Sequence, residues 1–315
     1  MTFACRLHGL TVESDRMLHG AVQVEPTGHR DLSISTGEPR PVPHERPDGQ
    51  LLGVLTVEDT LRHVAVRRPD GRVVFRVPGL VEFVIGSGHR DVTVHHDPNA
   101  DPGLVHVLTD GALIAAVLEL NGALTLHASA VRTAGRGIAI SGPTNSGKTT
   151  IAGLLCAGGA GLVADDLLHA DVAEQQVRAW PGGFELRIRE RAAALTSMLV
   201  GRERDTADGR IGVVPDVVDP TEPVPLDLVV LPRLHRRAGQ PVEVTEVTKS
   251  DALIQLLAAP RLLGWSAPDL TRVRFEQLSH LLTQVPVVAL HLPWGQAFET
   301  AFADRVGEAL TERLA

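Results

Sequence analysis

Eight consecutive residues, Gly142-Pro143-Thr144-Asn145-Ser146-Gly147-Lys148-Thr149, satisfy every fixed position of the pattern G-x-x-x-x-G-K-[ST]. Such a run wraps closely around phosphate oxygens. Its glycines admit backbone shapes that other residues resist, and the N–H groups at the helix start point at an anion. On this reading Gly142 to Thr149, with Thr150 just beyond, bind the phosphates of a nucleoside triphosphate. The Lys148 ammonium reaches the β- and γ-phosphates and the Thr149 hydroxyl holds Mg2+. The pattern requires a strand before it and a helix after it. Gly137–Ser141 predicts a short buried strand and Thr149–Cys156 a helix, so the context agrees.

Two further groups could act on a phosphate held there. Leu162-Val-Ala-Asp165-Asp166 is an apolar run ending in two acids, one helix and a tight turn (Ala157–Gly161) further on. Carboxylates at the carboxyl end of a strand suit two tasks: accepting the proton of an attacking hydroxyl, and holding Mg2+. The plainer alternative is an Asp capping a loop or helix. His127 lies on the stretch Leu124–Val131, which predicts a strand. A lone strand histidine is more often packed than catalytic, but the short turn Thr133–Gly137 makes this strand a neighbour of the phosphate-loop strand.

The elements that must position these groups divide the chain in two. Residues 1–104 read as a β-rich domain. Arg62–Arg68 and Arg72–Val77 alternate around Pro69-Asp-Gly71, a hairpin signal, and Val81–Ile85 with Asp91–His95 predicts a second pair. Glu25–Asp48, rich in Pro, Gly and charge, predicts a long loop, and the whole predicts a small antiparallel β domain. In residues 105–315 strands and helices alternate, which predicts an α/β layer structure. Leu108–Leu120, Ser250–Leu263 with Ser250 as its cap, Asp269–Leu282 and Gly295–Leu314 predict helices. Leu226–Leu231 and Val285–Leu292 predict strands. The last helix carries Phe298, Ala301, Phe302, Val306, Ala309 and Leu310 along one stripe, which predicts packing on the sheet edge.

Composition narrows the class. A net charge of −8, with 43% hydrophobic and 22% charged residues, is that of a globular chain and argues against nucleic acid or an anionic membrane as a general partner. Two cysteines, Cys5 and Cys156, offer neither a metal spacing nor a disulfide framework. No run is read as a membrane span or a signal peptide, so a cytoplasmic location is expected. His29-Arg-Asp-Leu32 imitates a protein-kinase catalytic loop without its remaining parts. His95-His96-Asp97 is read as a solvated strand end, since adjacent strand histidines face opposite ways. The basic runs Arg187–Arg191 and Arg233–Arg237 are read as solvated faces or loop edges, with phosphate contact as the alternative.

The runs Leu126–Val131, Gly137–Thr150 and Gly161–Asp166 together resemble the HPr kinase/phosphorylase superfamily. More narrowly, they resemble HPr-kinase-like serine kinases that accompany peptide-modifying gene sets, including those acting on lasso-peptide precursors. The resemblance implies a P-loop core related to that of phosphoenolpyruvate carboxykinase, ATP and Mg2+ as cofactors, and a serine on a peptide or small protein as acceptor. It makes Asp165 the base, assisted by His127, with Lys148 on the phosphates. It gives Asp166 and Glu185 to the metal beside Thr149, and Arg187 to a phosphate. The order of roles between Asp165 and Asp166 stays open. The downstream run Glu185-Leu-Arg-Ile-Arg-Glu190 keeps only the start of the family's E-I-R-G-L-G signature, which speaks against a reversible reaction, and the N-terminal hairpins resemble the β domain of the peptide-kinase relatives, which speaks against HPr as substrate. The resemblance allows a homo-oligomer. Two alternatives stand beside it: a small-metabolite hydroxyl kinase, and a nucleotide-dependent switch or binding protein.

Overall fold

Strand-forming alternation in the first hundred residues closes a nine-stranded sheet. Its strands are β1 (Phe3–Leu7), β2 (Leu10–Ser14), β3 (Val22–Val24), β4 (Leu32–Thr36), β5 (Gln50–Val57), β6 (Thr60–Arg67), β7 (Val73–Val77), β8 (Val81–Ile85) and β9 (Asp91–His96), in the order β3-β1-β2-β4-β9-β8-β7-β6-β5. The computed structural model describes residues 2–26, 28–235, 241–293, 295 and 298–314. Both expected hairpins form, with Val66 opposite Val74 and Val84 opposite Thr93. The sheet is mixed rather than antiparallel, because β4 pairs in parallel with both β2 and β9. That strand lies inside the segment expected to be a loop. Leu32-Ser-Ile-Ser-Thr36 buries Leu32 and Ile34 on one face, a period-two signal that outweighs the surrounding Pro and Gly.

The expected helix at 108–120 is part of a longer, interrupted one: α1 (Pro102–Leu108), a π turn (Thr109–Leu113) and α2 (Ile114–Leu120). Asp101 caps it, its Oδ1 accepting the Gly103 N–H at 2.7 Å. The run 102–120 is long and apolar enough to cross a membrane by length and composition, contrary to the sequence reading. Here it is a core helix. Ile114 to Leu118 are buried, in one cluster with Phe75, Phe83 and Val94 of the first sheet.

The second large sheet contains β10 (Leu124–Leu126), β11 (Ala128–Thr133), β12 (Arg136–Ser141), β13 (Gly161–Ala164), β14 (Leu168–Val172), β15 (Val177–Trp180), β19 (Val224–His235), β20 (Glu243–Glu246) and β21 (Val287–Pro293). A three-stranded sheet, β16 (Leu186–Arg189), β17 (Arg202–Asp205) and β18 (Arg210–Val214), is set beside it. The result is mixed α/β. Strand β11 runs antiparallel to β12 on one side and to β13 on the other. Its beginning therefore stands beside the ends of both neighbours. This alone brings residue 127, the loop after Ser141 and the acids after Ala164 to one edge. The strand expected over 124–131 is broken at His127, because β10 leaves to pair with β14.

Helices α3 (Lys148–Ala157), α4 (Lys249–Ala258), α5 (Pro268–Gln284) and α6 (Thr300–Thr311) cover the second sheet. The cap of α4 is Thr248, not Ser250: its Oγ1 accepts the Asp251 N–H at 3.1 Å. That helix ends at Ala258, short of the expected Leu263, because Pro260 disfavours helical geometry at the residue before it. The last helix is shorter than 295–314 and buries Phe302, Ala303, Val306 and Leu310 in the cluster that holds Ile151 and Leu155 of α3, so it packs on that helix. Residues 296 and 297 of the expected helix lie outside the described residues.

The two large sheets meet at a hairpin tip. His8 and Gly9, between β1 and β2, both take left-handed backbone angles, φ 52° and 81°. The tip sits on the second sheet. The His8 N–H donates to the Pro181 carbonyl at 2.7 Å, and a Cβ on Gly9 would lie 2.7 Å from the Trp180 ring. His8 is 1% exposed, and its Nδ1 has no hydrogen-bond partner. Burial, then the neighbouring His169 and Arg261, lowers its pKa to about 3. The unfolded chain protonates His8 below its ordinary value and the folded chain does not, so stability falls as pH drops from there. Asn suits the same left-handed turn and removes the titration. Between pH 6.5 and 5 the native chain should lose about 2 kcal/mol more than His8→Asn. Urea unfolding at the two pH values measures this, and equal losses would exclude it.

Candidate active site

The loop between β12 and α3 has the conformation its residues dictate. Asn145 and Gly147 take φ of 71° and 93°, and the turn is closed by the Ser146 N–H donating to the Pro143 carbonyl at 3.2 Å. Lys148, the first residue of α3, is 7% exposed, and its Nζ donates to the carbonyls of Gly142 and Pro143, both at 2.9 Å. Burial lowers its pKa to about 8, against the pull of Asp166 and Asp165, so it remains a cation at neutral pH.

A cavity of about 270 Å³ opens over this loop. Thr144, Asn145, Gly147, Lys148, Thr149 and Thr150 form one wall, and His127, Asp166 and Arg187 face them. Gly142 and Pro143 look into a separate hollow behind the loop. The basic run 187–191 is not a solvated face. Arg187, Arg189 and Arg191 line the cavity with Arg210, Arg261 and Lys148, and Asp166 is its one acidic lining residue among those described. Arg191 also donates to Asn145 Oδ1 at 3.2 Å. In a chain of net charge −8, this concentration of cations gives the cavity a locally positive field. The second basic run behaves differently. Arg233 donates to Gln255 Oε1, while Arg236 and Arg237 lie outside the described residues.

The two acids follow β13 but have different surroundings. Asp165 is 5% exposed and accepts three hydrogen bonds: Ser129 Oγ at 2.5 Å, Thr149 Oγ1 at 2.9 Å and the Arg187 N–H at 3.0 Å. Burial raises its pKa; the donated hydrogen bonds oppose the rise and the charge of Asp166 adds to it. Asp166 turns away, at φ 67°, a left-handed angle rare for a residue with a side chain. Its side chain is 28% exposed, with His127 Nε2 at 3.3 Å from Oδ1 and Arg261 Nη2 at 2.9 Å from Oδ2. Burial alone would raise its pKa, but the Arg261 guanidinium and then His127 hold the carboxyl well below the usual carboxylate range. The sequence reading is corrected here. His127 stands against Asp166, not Asp165, because the left-handed turn swings the second acid toward the start of β11. Thr149 bonds the first acid, not the second.

Glu185 is also displaced from its expected place. It reaches across Gly212 to Arg204, with Oε1 2.5 Å from Nε and Oε2 2.7 Å from Nη2. It lies on the far side of Asp165 from the phosphate-type loop, in a second cavity. Arg187 bonds Asp208 through Nη2 and faces both cavities. Arg261 escaped the sequence reading, which placed it inside a helix. Pro260 and Gly264 were the available signals that the chain turns there.

The donor set fits a small divalent cation. Thr149 Oγ1 and the Asp165 carboxylate are oxygen donors of the kind such a cation takes, joined by a hydrogen bond, and Mg2+ is commonly held by one or two carboxylates together with substrate phosphates. Among the described residues no group of three or more His, Cys, Asp or Glu forms a metal site by itself.

No protein-family model and no curated protein matches the chain. A solved structure of the HPr(Ser) kinase/phosphatase from Coxiella burnetii is similar over 60% of this chain and 95% of that one, at 13% identity and a TM-score of 0.30. At that TM-score the likeness is weak and does not establish the family.

Ser129 is the buried neutral donor to Asp165. Ser129→Ala should lower stability by about 1–3 kcal/mol, the cost of a lost hydrogen bond to a buried carboxyl. Chemical denaturation reads it, and an unchanged midpoint would show that the bond contributes nothing.

Proposed function

We propose that the chain is an ATP- and Mg2+-dependent kinase built on a P-loop core, transferring the γ-phosphoryl group to a serine hydroxyl of a peptide or small protein. One observation carries this reading: Asp166 lies between a cation-lined cavity over the Gly142–Thr149 loop and a second cavity on its other side. A phosphoryl donor and an acceptor could thus meet at one carboxylate.

The loop amides and Lys148 hold the triphosphate, exchanging the loop carbonyls for phosphate oxygens as partners of the ammonium. Thr149 and Asp165 would hold Mg2+, which would supply neutralisation of phosphate charge. Asp166 orients the acceptor hydroxyl. As its oxygen bonds to the γ-phosphorus and the bridging oxygen leaves with the diphosphate, the hydroxyl proton passes to Asp166. A carboxylate paired with arginine is a weak base. In a loose transition state the proton leaves late, so placement by His127 and Arg261 matters more than basicity. Arg187, between the cavities, contacts the transferring group. Glu185 braces Arg204 rather than the metal.

The test is intact-mass analysis of an acceptor panel (serine peptides, free serine and threonine, sugars) after incubation with ATP and Mg2+. Peptides should gain one phosphoryl mass. Asp166→Asn should slow transfer by about 10²–10⁴-fold while leaving ATP affinity within a few-fold. Lys148→Ala should instead weaken ATP binding. Phosphorylation of a sugar alone would replace this reading with a metabolite kinase, and ATP binding with no acceptor at all would favour a switch.

A further inference from the structure

The cavity beyond Asp166 shares Asp166, Arg187 and Arg261 with the first and is otherwise lined by other residues. It measures about 100 Å³ and runs from Asp166 and Arg261 to His106 and Asp110 on the interrupted helix, with exposed His19 at its mouth. It is smaller than the roughly 150 Å³ cavities that admit a benzene ring. A residue of serine's size fits.

Its polar groups are unevenly satisfied. The arginines are paired through their other nitrogens, Arg261 to Asp166, Arg204 to Glu185 and Arg187 to Asp208, while the Nε atoms of Arg187 and Arg261 are buried without a partner. Asp110 has no ion-pair partner among the described residues. Its Oδ2 accepts the His19 N–H at 2.8 Å, while its Oδ1 is buried with no hydrogen-bond partner. The buried Nδ1 atoms of His8 and His106 also lack partners. Unpaired buried polar atoms are costly unless a ligand completes them. Asp110 is presented by the π turn, a rare helical defect found frequently at functional sites. The next residue is Gly111, where a Cβ would lie 2.9 Å from Arg261 Nη2, the nitrogen that holds Asp166. Arg261 thus spans from the acid of the first cavity to the turn carrying Asp110.

We propose that this cavity takes a 2-amino alcohol unit, with Asp110 Oδ1 receiving the N–H next to the carbon that bears the acceptor CH2OH. The inference rests on the kinase reading for the hydroxyl's role but not for the cavity's occupant. Two sources share this chemistry: the amide N–H of a seryl residue inside a peptide, and the ammonium of free or N-terminal serine. Burial raises the Asp110 pKa to about 7, and an ammonium neighbour would hold it ionised, whereas an amide N–H needs only an acceptor oxygen.

The experiment is calorimetric binding to the whole chain loaded with Mg2+ and a non-hydrolysable ATP analogue. The three probes are N-acetyl-serinamide, serinamide and 3-hydroxypropanamide, which keeps the carboxamide but lacks the nitrogen at C2. The first two should bind at least tenfold more tightly than the third. Asp110→Leu should erase that preference, while Asp110→Asn should weaken serinamide more than N-acetyl-serinamide if the ammonium is the native partner, and leave N-acetyl-serinamide bound if it is the amide. Asp110→Asn keeps an acceptor for the His19 N–H and should hold the native Tm; Asp110→Leu loses that bond along with the unpaired Oδ1 and should still fold, which its Tm reads. Equal affinity of the three probes, no binding of any, or a preference that survives Asp110→Leu overturns the proposal. Phosphoryl transfer is assayed in parallel. A preference that depends on Asp110 without transfer sinks the kinase reading and leaves the pocket standing. Transfer indifferent to Asp110→Leu does the reverse.

Discussion

Two adjacent carboxylates, Asp165 and Asp166, are set into the protein at one strand end, and most of the surrounding architecture follows from making that tolerable. Like charges so close cannot both remain ionised in a poorly solvated place unless each is separately compensated. The chain compensates them differently. Asp165 is surrounded by neutral donors from β11, α3 and β16, which stabilise a carboxylate without adding a full charge beside it. Asp166 is given a guanidinium and an imidazole. The left-handed backbone at Asp166 is what separates the two environments, since ordinary strand geometry would not carry the second acid to His127 and Arg261 together.

This arrangement gives the first sheet a task beyond covering apolar surface. Arg261 stands in the segment between α4 and α5, which has no helix of its own to fix it. The segment is pinned from the other side. Gly53 of β5 bridges Trp265, the Val54 N–H donates to the Gly264 carbonyl at 3.1 Å, and the Trp265 ring meets Phe75 edge-on at 5.6 Å between centroids. The arginine that sets the charge state of Asp166 is thereby located by residues some two hundred positions earlier in the chain. The His8–Gly9 tip does the same for Pro181–Gly182, beside the Gly183 carbonyl that receives the Asp165 N–H at 3.1 Å. Loosening the first sheet therefore alters the acids electrostatically as well as mechanically.

The parts of this design that are local in sequence were legible there. The loop from Gly142 to Thr149 declares itself by spacing, and Gly161–Ala164 by four apolar or small residues ahead of two acids. The 62–77 and 81–95 hairpins declare themselves by alternation around turn residues. What could not be read was set by pairing partners. Whether His127 meets the first acid or the second depends on a backbone angle at Asp166 that no pattern specifies. Glu185 was given to the metal because Glu185-Leu-Arg187 resembles the family's downstream signature. Its partner Arg204 comes from β17, across an intervening strand, and only the register of that small sheet reveals it. β4 was hidden by composition: five alternating residues are outvoted by the Pro and Gly around them.

The cavity over the phosphate-type loop holds five arginines and a lysine against one acid, within a chain whose overall charge is negative. Such a concentration opposes folding by self-repulsion and is offset only in part by Asp166, Asp165 and Asp208. Lys148 shows where the offset is incomplete, since burial weakens its hold on a proton even with two carboxylates near. A polyanion entering this space relieves the repulsion and supplies the missing partners at once. It therefore binds the folded chain with a differential free energy the unfolded chain cannot match, and stabilises the fold by mass action. The same cations that destabilise the empty site are thus what would favour a highly charged ligand, and Asp166 in its lining limits how much repulsion the fold must carry.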